Sequence, residues 1–369
     1  ASDVATATVP ASNDAVVFDL TRELRAGQDF EVRVEFTPDV VVGAVQPWQQ
    51  QADEVAAARE AEQAFQDRWG PIASLFFLAL GFMLILGGPA ALYALWYTMG
   101  RDKPVPMVAD YLPEPPDDLP PGMAGTLVDE TVEMDDIIAT LVDLARRKAI
   151  SITEVKEDGL FRTGYDFIYR RERDDTELNE YEQEIIKALF GKKEEVRLSE
   201  LKEKFYANIP AIKSDMYDAV VEEGFFRMNP STVRNAYLAL GMFGLGVALF
   251  VSVSLSVMFG DLTSLAAFPA VGVGITALGM IILARAMPRK TDKGAEEAAR
   301  WEAFRSYLEN IEQYSDLEQQ KYIWDQWLPY AIAFGIDKEY IKKFSKIDAP
   351  APGWYIPSPT LYGPMRPYY

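Results

Sequence analysis

The sequence predicts an α+β membrane protein with three transmembrane helices, a partial external β-domain (a hairpin), a cytoplasmic winged-helix-like domain and C-terminal helices. Three windows without any charged residue, at residues 71–100, 235–260 and 262–284, predict the transmembrane helices. Alternating apolar and polar residues before the first window predict strands. Apolar residues at helical spacing after it predict the remaining domains.

The composition excludes several classes of function. A formal net charge of −20 disfavours nucleic-acid binding, because such binding depends on Lys and Arg neutralising phosphates. The sequence contains neither cysteine nor histidine, which removes disulfides, thiolate and imidazole metal ligands, and histidine-dependent catalytic triads. We therefore expect no metal, no cofactor and no catalytic residues of these kinds.

The N-terminal region, residues 1–45, contains two short stretches with strand periodicity. Residues 15–20 and 30–36 alternate apolar and polar side chains, and residues 25–28 between them are typical of a turn, which predicts a β-hairpin. A single hairpin is marginally stable in water. We therefore interpret this region as the end of an external β-domain, with further residues expected before Ala1. Residues 46–70 predict a polar juxtamembrane helix that leads into the first span.

Each uncharged window is long enough for the roughly 20 residues that cross a ~30 Å hydrocarbon layer. A buried helix of a soluble protein would be shorter and would show a polar stripe. Only Asp261 separates the second window from the third, so these two helices are expected to form an antiparallel hairpin with a very short turn.

Basic residues next to the windows predict the orientation in the membrane. They follow the first and third windows and precede the second, whereas the turn at Asp261 has none. The excess of Lys and Arg on the cytoplasmic side therefore predicts an external N-terminus and a cytoplasmic C-terminus, in the plasma membrane. The basic residues are Arg101, Lys103, Arg227, Arg234, Arg285, Arg289, Lys290 and Lys293.

Glycines within the second and third windows predict close packing between helices. Small residues let helix backbones approach closely where lipid supplies no hydrophobic drive. The predicted helix-packing residues are Gly241, Gly244, Gly246, Gly272, Gly274 and Gly279.

The segment between the first two spans predicts a linker and a domain. Residues 101–121 are rich in proline and predict an extended linker. Residues 122–234 combine amphipathic helices with short strands in the order typical of a winged helix, and their acidic character favours protein contact over DNA binding. The predicted elements are helices at 134–147, 180–190, 199–205 and 209–223, strands at 150–155, 165–170 and 196–198, and a closing strand at 225–228.

Residues 285–347 predict cytoplasmic helices, because Trp301, Phe304, Leu308 and Ile311 share one helical face. This face either packs on the preceding domain or lies on lipid, and the many nearby glutamates disfavour anionic lipid.

The tail at residues 348–369 is rich in Pro and Tyr. Its apolar side chains are candidates for docking, either on the chain's own domains or on a neighbouring subunit. These residues are Trp354, Tyr355, Ile356, Leu361 and Tyr362.

Three groups of residues occur in an order typical of one protein family. WYTMGRD at residues 96–102 ends the first span, PPDDLPPGMAG at 115–125 precedes ATLVDLARR at 139–147, and LPYAIAFGI at 328–336 precedes Lys342–Lys343–Phe344. Together they resemble a family of predicted bacterial membrane proteins, domain of unknown function 2207. The resemblance covers about residues 18 to 344 and implies the architecture, but no activity.

Two features depart from that family pattern. A full external β-domain would be represented here only by residues 18–42, and the tail is rich in Pro and Tyr where many members have Gly and Ser.

Adjacent carboxylates are the remaining candidates for chemistry. Side chains of neighbouring residues diverge, so these pairs do not converge on one substrate atom. The spans contain no ionisable residue to line a transport path. The pairs are Asp117 and Asp118, Asp135 and Asp136, Asp174 and Asp175, and Glu194 and Glu195.

We therefore expect a non-catalytic membrane scaffold or accessory subunit. It would contact other membrane subunits or further copies of itself within the lipid bilayer, and it would not bind nucleic acid. The alternative is a membrane-anchored enzyme or regulator of unknown substrate.

Overall fold

A computed structural model describes residues 5–8, 17–20, 47–105, 109–158, 163–172, 178–321, 324–347 and 349–356. The chain divides into two compact units, Ala1–Phe65 and Gln66–Tyr369. In the first unit, strand β1 (Ala5–Thr8) pairs antiparallel with β2 (Val17–Leu20), with Thr6 opposite Asp19.

The hairpin differs from the predicted one in its partner strand. Residues 17–20 form a strand as predicted, but they pair with β1, which the sequence analysis missed. The alternation of Ala and Thr in β1 fits a strand because Thr is β-branched, although the stretch is too short for a clear periodic signal. The predicted partner at 30–36 and the turn at 25–28 lie outside the described residues.

Helix α1 (Pro47–Leu95) joins the predicted juxtamembrane helix and the first span without a break. It includes Pro71 and Pro89. A single π-helical turn, Trp96–Gly100, ends it, and the backbone N–H of Arg101 donates to the Trp96 carbonyl at 2.8 Å.

After α1 the chain forms a non-helical segment and then a domain of helices and strands that begins with α2 to α5, which we call the mixed domain. Residues 109–120 are not helical, and Tyr111 stacks on Tyr314 with ring centroids 4.0 Å apart. The elements that follow are α2 (Pro121–Asp129), α3 (Met134–Arg146), β3 (Ile150–Asp158), β4 (Thr163–Arg171), α4 (Glu180–Phe190), β5 (Glu195–Arg197) and α5 (Leu198–Glu222).

The remaining chain is almost entirely helical. It contains α6 (Pro230–Phe259), α7 (Phe268–Leu283) with a 3₁₀ turn at Ala284–Ala286, α8 (Asp292–Glu309), α9 (Ile311–Tyr314), α10 (Leu317–Gln320), α11 (Trp324–Ala333), α12 (Asp337–Ser345) and strand β6 (Tyr355–Ile356).

Three helices are long and apolar enough to cross a membrane, as predicted: Trp48–Gly100, Pro230–Phe259 and Phe268–Ala286. The predicted very short turn at Asp261 is wrong. Helix α7 begins at Phe268 rather than at residue 262, and residues 260–267 form a series of turns. Within them the Thr263 hydroxyl accepts a hydrogen bond from the Leu265 N–H at 3.2 Å, which supports a non-helical backbone.

One four-stranded sheet has the order β5-β4-β3-β6. Strands β3, β4 and β5 pair antiparallel, whereas β6 adds to β3 in parallel, with Tyr355 opposite Ile152. Residues 225–228 do not form the predicted closing strand, because only a single bridge joins Phe226 to Lys290.

Helix α5 is continuous where two helices were predicted, although it contains Pro210. Proline removes one backbone hydrogen bond and disfavours helix before it, which is why the sequence predicts a break. Burial of Leu201, Ile212, Met216 and Val220 along α5 offsets that loss.

The core of the domain lies where α2, α3 and α11 meet, with α8 packed alongside. Trp301 on α8 is fully buried and stacks on Tyr330 of α11, with centroids 5.2 Å apart. Phe304, Leu308 and Ile311 are buried with it. This face therefore packs inside the domain, and the alternative of a helix lying on lipid is wrong.

Candidate functional site

Two of the six predicted glycines lie at the contact between α6 and α7. A Cβ atom on Gly241 would lie 2.5 Å from Cγ1 of Ile281 and 3.0 Å from the Ala277 carbonyl oxygen. A Cβ atom on Gly244 would lie 2.9 Å from the Ala277 Cβ. Both positions therefore depend on glycine for the observed helix approach.

Two further glycines on α7 face α1 instead of α6. A Cβ atom on Gly272 would lie 2.5 Å from the Leu84 Cβ, and one on Gly279 would lie 2.7 Å from Cδ1 of Leu92. Helix α7 therefore packs between the other two spans and uses different glycines for each neighbour.

The last two predicted glycines lie outside these tight contacts. A Cβ atom on Gly246 would meet nothing within 4 Å, and one on Gly274 would meet only the Ala248 Cβ at 3.8 Å. By contrast, Gly88 of α1 lies directly against the Thr276 hydroxyl and was not predicted. Glycine content alone does not reveal which side of a helix faces a neighbour.

A polar contact also joins the spans. The Ser74 and Thr263 hydroxyl oxygens lie 2.7 Å apart and share a hydrogen bond, which links α1 to the connection between α6 and α7.

A partly buried ion cluster lies where the spans meet the mixed domain. We call Asp102, Glu130 and Lys290 the junction cluster. The Lys290 Nζ forms an ion pair with Glu130 Oε1 and lies 3.6 Å from Asp102 Oδ2. The Lys290 backbone N–H donates to Asp102 Oδ1 at 2.7 Å. Only 8% of the Lys290 side chain is exposed, so its charge is largely removed from water.

The junction cluster joins four elements of the chain. Asp102 follows α1, Glu130 caps the C-terminus of α2, and Lys290 follows α7. Arg234 of α6 completes the arrangement by donating to the Glu130 carbonyl at 2.8 Å. Glu130 has a left-handed backbone with φ of 61°, which directs the chain back towards this contact.

Opposing effects act on the pKa of the Glu130 carboxyl. Burial raises this pKa, and the charge of Lys290 and its hydrogen bond lower it, with a net increase. Lys290 pairs with both carboxylates of the junction cluster. This arrangement is suited to holding elements together rather than to reacting with a substrate.

Further contacts surround the junction cluster. Lys103 pairs with Asp292 at 2.7 Å, and Arg289 donates to the Thr98 carbonyl at 3.2 Å. The Thr291 hydroxyl donates to the Gly224 carbonyl at 2.6 Å, so the start of α8 is tied to the end of α5.

An open groove of about 840 Å³ lies beside the junction cluster. Lys213 donates to the Val132 carbonyl at 2.6 Å, and the Tyr217 hydroxyl accepts from the Val132 N–H at 2.9 Å, so α5 braces the segment before α3. The lining combines both signs of charge and hydroxyl groups: Thr131, Glu133, Asp135, Lys213, Ser214 and Arg234.

Asp135 and Asp136 do not converge on one point. Asp135 is exposed, whereas Asp136 is buried with its Oδ2 accepting from the Glu133 N–H at 2.8 Å. Asp117 accepts from the Leu119 N–H at 2.9 Å, and Glu195 pairs with Arg170. Asp174 and Asp175 lie outside the described residues. Within the described part of the chain, no three acidic residues are grouped so that they could hold a metal ion.

The first three tail candidates lie on the chain's own domain. Tyr355 and Ile356 form β6, and the Tyr355 hydroxyl donates to Glu154 Oε2 at 2.8 Å. Trp354 packs against the core. The edge of β3 offers backbone hydrogen-bonding groups to β6, so for these three residues the structure shows the first of the two alternatives, docking on the chain's own domain. Leu361 and Tyr362 lie outside the described residues.

Comparison with known proteins agrees with this architecture. A family model described as the C-terminal domain of a predicted membrane protein, DUF2207, matches residues 108–344, well over half of the chain. The chain belongs to this family. The part that matches the DUF2207 model includes α6, α7 and two members of the junction cluster, Glu130 and Lys290. No curated protein and no solved structure matches the chain.

Proposed function

We propose that this DUF2207 protein is a non-catalytic scaffold or accessory subunit of a membrane assembly. The observation that carries this proposal is the junction cluster, which ties the mixed domain to the ends of the spans through partly buried ion pairs. A domain held at a fixed position on the membrane can present a surface to a partner without losing binding free energy to its own motion.

A continuous face of α5 supports a docking role for this domain. Tyr206, Pro210, Lys213 and Tyr217 follow at spacings of three and four residues and therefore share one side of the helix. Tyr206 is 64% exposed, and the other three line the open groove. Tyr217 is buried, so Tyr206 is the exposed aromatic side chain of this face, and an exposed aromatic side chain beside a polar groove is typical of protein contact sites.

We further propose that residues 122–234 form a winged-helix-like domain that acts in protein recognition on the cytoplasmic side of the plasma membrane. The antiparallel pair β3–β4 in one sheet with β5, next to α4 and α5, supports this assignment. The net charge of −20 favours a protein partner over DNA.

Purification of the full chain in mild detergent tests the scaffold proposal. We expect a native mass above that of a single 41.4 kDa chain, from further copies or from a second membrane protein. Tyr206→Glu should release that partner because it places a charge on the α5 face. Ile341→Glu on α12 is the matched control, since Ile341 is also exposed, and it should retain the partner. A native mass of one chain for the unaltered protein, or retention in Tyr206→Glu, would overturn the proposal.

The groove favours one alternative, a membrane-anchored regulator that binds a small polar ligand between α3, α5 and α6. Lys213→Met should then abolish a ligand-dependent increase in stability and leave the assembly mass unchanged.

A further inference from the structure

Basic residues concentrate at one end of the spans in an otherwise strongly acidic chain. Arg101 follows α1, Arg227 precedes α6, and Arg285 ends α7. All three side chains are exposed, and among the described residues none of them forms an ion pair with a carboxylate. These three exposed cations contrast with the net charge of −20 of the whole chain.

The neighbourhood of Asp292 shows that several of these charges lie together. Lys103 hydrogen-bonds to Asp292 at 2.7 Å. The pKa of Asp292 is lowered, chiefly by this hydrogen bond and further by the charges of Lys103, Arg227 and Arg289, whereas desolvation opposes the decrease. Lys103 therefore contacts Asp292, and Arg227 and Arg289 lie close enough to act on it, so these three cations outnumber the carboxylate between them.

Exposed apolar side chains accompany these cations. Met228 is 61% exposed directly beside Arg227, two residues before α6 begins. Tyr97 is 53% exposed, and the Arg101 guanidinium lies 5.1 Å from its ring centre. A cation next to an exposed aromatic or aliphatic side chain at a span end matches the boundary between lipid headgroups and acyl chains.

We propose that this surface binds anionic phospholipid headgroups at its end of the spans. We name it the basic collar and define it as Arg101, Lys103, Arg227, Arg285 and Arg289. Guanidinium and ammonium groups pair with lipid phosphates, while Met228 and Tyr97 enter the acyl boundary. The proposal does not depend on the scaffold role, because it concerns only the membrane around the spans.

Native mass spectrometry of the full chain in detergent tests this, with titration of phosphatidylglycerol against phosphatidylcholine. We expect preferential binding of phosphatidylglycerol that weakens with added salt. The double variant Arg227→Gln with Arg285→Gln should weaken it roughly 25-fold, since each basic residue near an anionic surface contributes about fivefold. Asp292→Asn should strengthen it, because it removes a carboxylate that acts on Lys103, Arg227 and Arg289.

Lys338→Gln with Lys342→Gln is the charge-matched control. These exposed lysines lie on α12, whose Lys343 contacts the Glu309 carbonyl at the far end of α8 from Asp292. We expect this control to bind phosphatidylglycerol like the unaltered protein. Equal binding of the two lipids, equal loss in both double variants, or equal binding of inorganic phosphate would overturn the proposal.

Discussion

The Lys290 ammonium lies 3.6 Å from the Asp102 carboxylate, across 188 residues of chain. The same ammonium pairs with Glu130, so one buried cation neutralises two carboxylates. The exits of α1 and α7 are thereby joined to α2.

Lys290→Met should destabilise the protein by about 3–5 kcal/mol, because it leaves two partly buried carboxylates without a cation. Lys103→Met is the control and should cost less than about 1 kcal/mol, since Lys103 and Asp292 are 56% and 66% exposed. Thermal unfolding in detergent measures both. Equal losses would show that the junction cluster has no special role.

Gly244→Leu should destabilise the packing of α6 on α7 by about 1–3 kcal/mol, since even a Cβ atom would lie 2.9 Å from the Ala277 Cβ. Gly246→Leu should be nearly silent, because a Cβ atom there meets nothing within 4 Å. Thermal unfolding of each variant in detergent measures both losses of stability. A larger loss for Gly246→Leu than for Gly244→Leu would contradict the packing of α6 on α7 through Gly244.

The raised pKa of Asp136 predicts that the stability of the protein depends on pH. Burial, opposed by the hydrogen bond from Glu133 and reinforced by nearby acids, raises its pKa from 3.8 to about 8. Because the pKa of Asp136 is higher in the folded state than in the unfolded state, the stability that its protonated carboxyl contributes is fully present below about pH 4. It falls by about 1.4 kcal/mol per pH unit up to about pH 8.

Asp136→Asn should flatten this dependence and be more stable than the unaltered protein at pH 8, since the amide stays neutral and its oxygen still accepts from the Glu133 N–H. Asp135→Asn, an exposed neighbour, should leave the pH profile unchanged. Denaturant unfolding at pH 5 and pH 8 measures both, and parallel profiles for all three proteins would contradict the assignment.

The proposed orientation predicts a labelling pattern in intact cells. The chain has no cysteine, so Ser12→Cys, Ser214→Cys and Ser345→Cys are clean single reporters. A membrane-impermeant maleimide should label only Ser12→Cys before lysis and all three afterwards. If only Ser214→Cys and Ser345→Cys were labelled in intact cells, the orientation would be the opposite of the proposed one.

Local patterns predicted α3 and α4 almost to the residue, but they missed α2 and the start of α7. The absence of charge located the spans, and helical spacing placed Trp301 and Phe304 on one face. The break expected before Pro210 did not occur, because burial of the α5 face outweighs the local preference of proline. The short strand β1 was missed because its four residues carry little periodic signal.

The sequence by itself determined that this protein has three membrane spans and an acidic mixed domain, since length, charge and periodicity are properties of neighbouring residues. Only the tertiary structure decided that Gly272 faces α1 while Gly244 faces α7, and that Lys290 meets Asp102 and Glu130. The contacts of Gly272 and Lys290 join residues 160 or more positions apart, and even Gly244 lies 33 positions from Ala277. Their register depends on how all the elements pack together, which no local pattern records.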